Sequence, residues 1–181
     1  MPKTELERLQ SADIGLSSSD SFVGRAIRYF EAAQSGSARY SHAWIALGKL
    51  TDKPQVIESL WKIARSPVGK YADQKIIVYR HKNLTRGQRN EVALKCVELT
   101  NHSYGTLKIP LFALDGIFRT YFFTKMFGVS SFKVCSNLVA WAYESVLGHE
   151  VFGTCWRSVT PDVIDDYCQA HPDTWEVVLI S

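Results

Sequence analysis

Ser131-Phe132-Lys133-Val134-Cys135-Ser136-Asn137-Leu138-Val139-Ala140-Trp141-Ala142-Tyr143-Glu144 reads as a short extended approach running into a helix. Leu138, Val139, Ala142 and Val146 recur at helical spacing, and Gly148 stands where a helix would stop. Cys135 therefore falls at, or within a residue of, the helix N-terminus. Unpaired backbone N–H groups and the positive end of the helix dipole favour a thiolate there. A thiolate so placed is a nucleophile, and the same N–H groups can hold an oxyanion. Most free cysteines are instead small buried apolar residues, so the nucleophilic reading needs partners elsewhere in the chain.

Immediately upstream, residues 107–129 are aromatic-rich and about as long as a membrane span, but Lys108, Asp115, Arg119 and Lys125 interrupt them. A transmembrane helix needs ~20 mostly apolar residues with few charges, which rejects a span. Two readings remain: a pair of short helices inserted before the cysteine helix as a cover for the site, or a surface that contacts a membrane or a partner.

The partners lie far upstream. Tyr40-Ser41-His42-Ala43-Trp44-Ile45-Ala46-Leu47 is strand-like, followed by a polar turn from Gly48 to Pro54 and a second strand from Gln55 to Trp61. Side chains alternate between the faces of a strand. A three-residue loop in this hairpin sets Glu58 directly across from His42, and a five-residue loop sets it on the diagonal of the same face. Only an even-length loop turns Glu58 to the other face. The expectation is a His–carboxylate pair on one sheet face, against the alternative of a core histidine and an unrelated surface glutamate.

Elsewhere, Ser11 to Leu16 reads as a short strand and Ser17 to Asp20 as a turn, with a helix expected from Phe22 to Ala33. Lys75 to Tyr79 is an apolar, β-branched strand. Thr85 to Thr100 is an amphipathic helix, its apolar stripe drawn from Val92, Leu94, Cys96, Val97 and Leu99. Val151 to Cys155 resembles an extended piece, Ser158 to Asp162 a helix start with proline near the first position, and Val163 to Ala170 a short helix. Trp175 to Ile180 closes the chain as a strand. One α+β domain over residues 1–181 is the economical reading.

Composition narrows the function. A net charge of +3 without any basic run gives no case for nucleic acid. The cysteines, Cys96, Cys135, Cys155 and Cys168, form no CxxC pair and no metal-ligand spacing, so a reduced chain with no metal or other cofactor is expected. The polar N-terminus lacks an apolar signal core, which points to a protein cytoplasmic as synthesised, with delivery to the envelope or to another cell as a later step. Ser59-Leu60-Trp61-Lys62 and Ser130-Ser131-Phe132-Lys133 match S-x-x-K, yet the chain has no K-T-G. His81, His102, His149 and His171 are expected to be surface histidines.

A cysteine paired with histidine, and a third polar group orienting the imidazole, is the requirement for thiol-based acyl transfer. Here histidine comes early, in Ser41-His42-Ala43-Trp44-Ile45, and cysteine late, in Val134-Cys135-Ser136-Asn137-Leu138-Val139. That reversal of the papain order resembles the circularly permuted NlpC-type papain-like hydrolases (YiiX/YebB-like). Ala12-Asp13-Ile14-Gly15-Leu16 resembles the family's opening Gly-Asp-Ile strand with Ala12 in place of glycine. Tyr104-Gly105 resembles its Tyr-Asp motif with Gly105 departing, and Ser158 to Asp162 its Ser-Pro segment. Asn137 stands where the family often has glutamate. The resemblance implies a papain-like fold, a central antiparallel sheet packed with helices, and a cysteine peptidase or amidase. Cys135 would be its nucleophile, His42 its base and Glu58 the group that fixes the imidazole tautomer, with Tyr104, Ser41 and Ser136 at the substrate. The substrate it implies is an amide in a cell-wall type peptide. The alternatives are a lipid ester or amide, favoured by the aromatic stretch, and a binding module that keeps the fold without turnover.

Overall fold

A computed structural model describes residues 6, 8–18, 39–51, 53–59, 62–100 and 135–180 of the chain. Six described strands form one sheet: β1 (Ile14–Ser18), β2 (His42–Ala46), β3 (Gln55–Ser59), β4 (Ile63–Pro67), β5 (Lys75–His81) and β6 (Trp175–Ile180). Their spatial order is β4-β3-β2-β1-β5-β6, and every neighbouring pair is antiparallel. Three described helices accompany it: α1 (Arg86–Glu98), α2 (Cys135–Leu147) and α3 (Pro161–Ala170). The fold is α+β with a central antiparallel sheet, as expected.

Local chemistry explains the helix boundaries. At α1, the Thr85 hydroxyl accepts from the Gln88 N–H at 3.2 Å while the Gln88 side chain accepts from the Thr85 N–H at 3.0 Å, a reciprocal capping box. At α3, Thr160 caps the Val163 N–H and Pro161 occupies the first turn, where its missing donor costs nothing. Gly148 ends α2 with φ +75°, a conformation in which a Cβ would be strained.

The sheet separates two apolar layers. On one face Ala43, Ile45, Ile57 and Ile77 pack with Val92, Ala93 and Cys96 of α1 and Leu138, Val139 and Ala142 of α2. On the other, Trp44, Ala46, Val56 and Val78 are covered by Leu6 and by Val68 and Tyr71 of the 3-10 turn Val68–Tyr71. Burial of this kind is the main driving term for the fold. Gly15 permits the second layer to close, because a Cβ there would lie only 2.0 Å from the Trp44 indole.

Several expectations are corrected. Ser11 to Asp13 form a turn, with the strand running from Ile14 through Ser18, so Ser17 and Ser18 are strand rather than turn. Ala12 there has φ +68°, the left-handed region that favours glycine. Strand β4 was not expected: Arg65 and Pro67 mask its pattern, and both are tolerated because β4 is the sheet edge. Leu94 is 46 % exposed and lies off the buried stripe of α1, since two residues from Val92 is about 200° of helical turn. Val151 to Cys155 is a turn rather than extended, with Val151 and Phe152 buried. His81 is half-buried against Trp175, ring centroids 4.9 Å apart, whereas His149 and His171 are exposed. The expected helix from Phe22 to Ala33, residues 107–129, Tyr104, His102 and the approach Ser131 to Val134 lie outside the described residues.

Candidate active site

The site assembles at the end of the ladder between β2 and β3. Their register pairs Trp44 with Glu58, Ile45 with Ile57 and Ala46 with Val56. Glu58 is therefore diagonal to His42 on one face, the second of the two same-face outcomes the hairpin allowed. His42 Nε2 lies 3.0 Å from Glu58 Oε2, and both residues are buried.

Cys135 is the first described residue of α2 and is partly exposed. Its sulfur receives the N–H groups of Ala43 and Ser136 and hydrogen-bonds with the His42 ring. The strand explains the Ala43 contact. Leu47 N–H bonds to the Gln55 carbonyl on the β3 side, and alternate residues of a strand direct their N–H groups to the same side, which puts Ala43 N–H there too. The ladder stops at Trp44–Glu58, so that N–H is available to the sulfur. With His42 Nε2 committed to Glu58, Nδ1 is the nitrogen left for Cys135.

Glu58 has further partners, the Ser66 hydroxyl among them. The Tyr71 hydroxyl donates to Oε2 at 2.6 Å, and the Lys70 ammonium pairs with Oε1. Tyr71 is stacked between Trp44, at 5.1 Å between centroids, and His42, at 6.3 Å. Burial works against the Glu58 charge, but His42, Lys70, Ser66 and Tyr71 outweigh it and hold the carboxyl well below its usual range. Burial likewise opposes the His42 cation; Cys135 and Glu58 overcome this and raise His42 to about 9. For Cys135, burial favours the thiol, while His42 and the two N–H groups bring it below an ordinary cysteine. All directions agree on a thiolate–imidazolium pair backed by an ionised carboxylate.

The start of α2 is fastened from a third direction. Ser136 Oγ donates to the Val159 carbonyl at 2.7 Å, and Asn137 Nδ2 donates to the carbonyls of Trp156, at 2.7 Å, and Val159, at 3.0 Å. The Ser136 side chain thus holds the helix start, and the residue contributes its N–H to the sulfur. Ser41 is buried beside His42, with its N–H donating to the Ser17 carbonyl at 3.0 Å. The structure brings together Cys135, His42, Glu58 and Ser136, while Ser41 precedes His42 in the chain and its N–H is turned to β1. Lys70 and Tyr71 were not singled out from the sequence. Their segment, Pro67 to Gln74, shows neither helical nor strand periodicity, and the one available signal is a Lys-Tyr pair three residues after a proline.

No family model and no curated protein matches the chain. Among solved structures, the crystal structure of the metalloprotein YiiX from Escherichia coli O157:H7 is similar, with a TM-score of 0.58 and 18% identity over 95% of this chain and 97% of that one. Identity at that level carries the fold alone: this chain has a YiiX-like fold. Among the described residues no three His, Cys, Asp or Glu side chains are grouped to hold a metal ion. At the site itself the Lys70 ammonium occupies Glu58, so a cation placed on that carboxylate would meet an existing positive charge. These residues do not fit a metal. Among the described residues no helix is long and apolar enough to cross a membrane.

Proposed function

We propose that the protein is a thiol-dependent hydrolase that cleaves an amide bond, in a cell-wall type peptide, through an acyl-enzyme on Cys135. The observation that carries this reading is Cys135 at a helix N-terminus, bonded to a His42 ring whose other nitrogen is held by buried Glu58. The thiolate attacks the carbonyl carbon, and charge develops on the carbonyl oxygen near the N–H groups at the start of α2. An amine is a poor leaving group until protonated. His42, kept cationic by its neighbours, supplies that proton as the C–N bond breaks. The neutral imidazole then takes a proton from water as the hydroxide attacks the thioester. Collapse of the tetrahedral intermediate expels the Cys135 thiolate, and His42 keeps its proton so that the ion pair is restored. The carboxylic acid product gives up its own proton to solvent. The proton held on His42 makes amide cleavage possible at this site and serves an ester equally; the choice of an amide in a wall-type peptide rests on the sequence resemblance.

Trapping the acyl-enzyme tests the proposal. The purified protein is incubated separately with digested wall peptides and with mixed lipids, quenched in acid, and the Cys135 peptide analysed by mass spectrometry. A peptidyl adduct that is absent from His42→Ala is expected. A fatty-acyl adduct overturns the choice of substrate, and no adduct from either pool overturns the enzyme in favour of a binding module.

A further inference from the structure

We propose that Lys70 and Tyr71 are positioning residues for the Cys135–His42 pair: together they clamp Glu58 so that the imidazole is held in one tautomer and one plane. The inference rests on the reading of Cys135 and His42 as the reacting pair. It begins from what each group can donate. Lysine ammonium has donors and no acceptor, and a phenol 2.6 Å from an ionised carboxylate can only donate to it. Glu58 therefore accepts from both, Lys70 on Oε1 and Tyr71 on Oε2. A carboxylate so occupied stays ionised and cannot supply a proton to His42. The proton in the 3.0 Å contact with Oε2 consequently belongs to His42 Nε2, which leaves Nδ1 as the nitrogen that exchanges a proton at the sulfur. Nδ1 carries that proton in the ion pair and is basic once the proton has gone to the leaving group.

The same two residues fix position as well as tautomer. With Oε1 held by Lys70 and Oε2 shared by Tyr71 and His42, the carboxylate has no rotation that keeps its bonds. The Tyr71 ring lies at 22° to the His42 ring and is backed by Trp44, while the Lys70 ammonium stands 5.0 Å from the Tyr71 ring centroid. Lys70 and Tyr71 both come from the 3-10 turn Val68–Tyr71, so one short segment sets both the carboxylate and the plane of the imidazole. The charged and titratable groups facing Glu58 are His42 from β2, Lys70 and Tyr71 from that turn, and beyond His42 the thiolate of α2; Ser66 of β4 adds a neutral hydroxyl.

The test is the pH profile of Cys135 alkylation by iodoacetamide, which requires no substrate, in the wild type, Tyr71→Phe, Lys70→Met and Lys70→Arg, with melting temperatures measured alongside. Tyr71→Phe keeps the stacked ring and removes only the hydroxyl. Loss of one hydrogen bond to a charged group is expected to move the alkylation midpoint up by about one pH unit, toward an ordinary thiol. Lys70→Met should move it in the same direction and Lys70→Arg should restore it. Where a wall peptide is turned over, kcat should fall roughly tenfold with KM unchanged. Wild-type midpoints in both Tyr71→Phe and Lys70→Met overturn the proposal even if the melting temperature falls, because that is the signature of a merely structural role. Should Tyr71→Phe fail to fold, the Lys70→Met and Lys70→Arg pair decides, since the Lys70 side chain is 35% exposed. Shifted midpoints in a protein that turns over no peptide support the clamp while overturning the hydrolase. A wild-type midpoint at the ordinary thiol value overturns both.

Discussion

Replacing Glu58 by glutamine removes one charge and one acceptor oxygen while keeping size and shape, and the structure says what that should cost. Donors from His42, Tyr71, Lys70 and Ser66 converge on the carboxylate. The amide has a single oxygen, and its NH2 would face a donor. Two unit charges 3.0 Å apart, as at His42 and Glu58, interact by about 5.5 kcal/mol at an effective dielectric of about 20. The remaining amide oxygen and the solvent access of Lys70 recover part of this, so the expected loss at neutral pH is about 2–4 kcal/mol. The difference between wild type and variant should itself depend on pH, with a definite sign. Glu58 is depressed in the folded state, so its contribution is complete above the unfolded value of 4.5 and disappears as the solution is acidified below it. His42 is raised, so its pairing contributes fully below 6.5 and is lost as pH rises toward about 9. The gap in stability is therefore widest between those two unfolded values, narrowing on either side. Urea unfolding of both proteins across a pH series measures it. Equal stability at neutral pH, or a gap that widens steadily into alkali, would refute the account of Glu58 as an ionised partner of a cationic histidine.

Further outcomes follow from the same contacts. Iodoacetamide at neutral pH should label Cys135 first, because Cys96 and Cys168 are buried and burial pushes the Cys168 thiol well up; faster labelling of Cys155 by mass spectrometry counts against a thiolate at Cys135. Gly15→Ala places a Cβ 2.0 Å from the Trp44 indole, and since Trp44 backs Tyr71 the shift is transmitted toward Glu58. A loss of about 3 kcal/mol in urea titrations is expected, and an unchanged midpoint shows that the indole has room to move. Asn137→Ala removes both side-chain bonds that tie the start of α2 to the Trp156 and Val159 carbonyls. It should destabilise the protein by about 1–3 kcal/mol and slow Cys135 alkylation; normal alkylation in a destabilised variant would separate the tie from the site.

The features legible in the sequence were those set within a few residues of one another. Side-chain spacing and Gly148 marked the helix from Cys135 to Leu147, Pro161 marked α3, and the run from Trp175 to Ile180 is the strand β6 that was expected. Alternation makes a shared face for Glu58 and His42 the expected outcome without forcing it, and the observed register puts them there. Helical periodicity and capping are short-range, and a strand's two faces follow from its own geometry, so these readings needed nothing distant. The stripe of α1 was less well resolved, because Leu94 is apolar yet faces solvent and only packing distinguishes it from Val92.

Tertiary structure alone decided the rest. Nothing local says that β1 inserts between β2 and β5, or that β4 forms an edge, since pairing partners are chosen by which faces must be buried together. His42 and the α2 helix lie toward opposite faces of the sheet, and they meet only because the β2–β3 ladder stops at Trp44–Glu58 and leaves the Ala43 N–H open to the sulfur. Lys70 and Tyr71 carry no periodic signal at all. They reach Glu58 because the turn after β4 folds over the second apolar layer, a placement determined by the burial of Val68 and Tyr71 against Trp44 rather than by any pattern in their own segment.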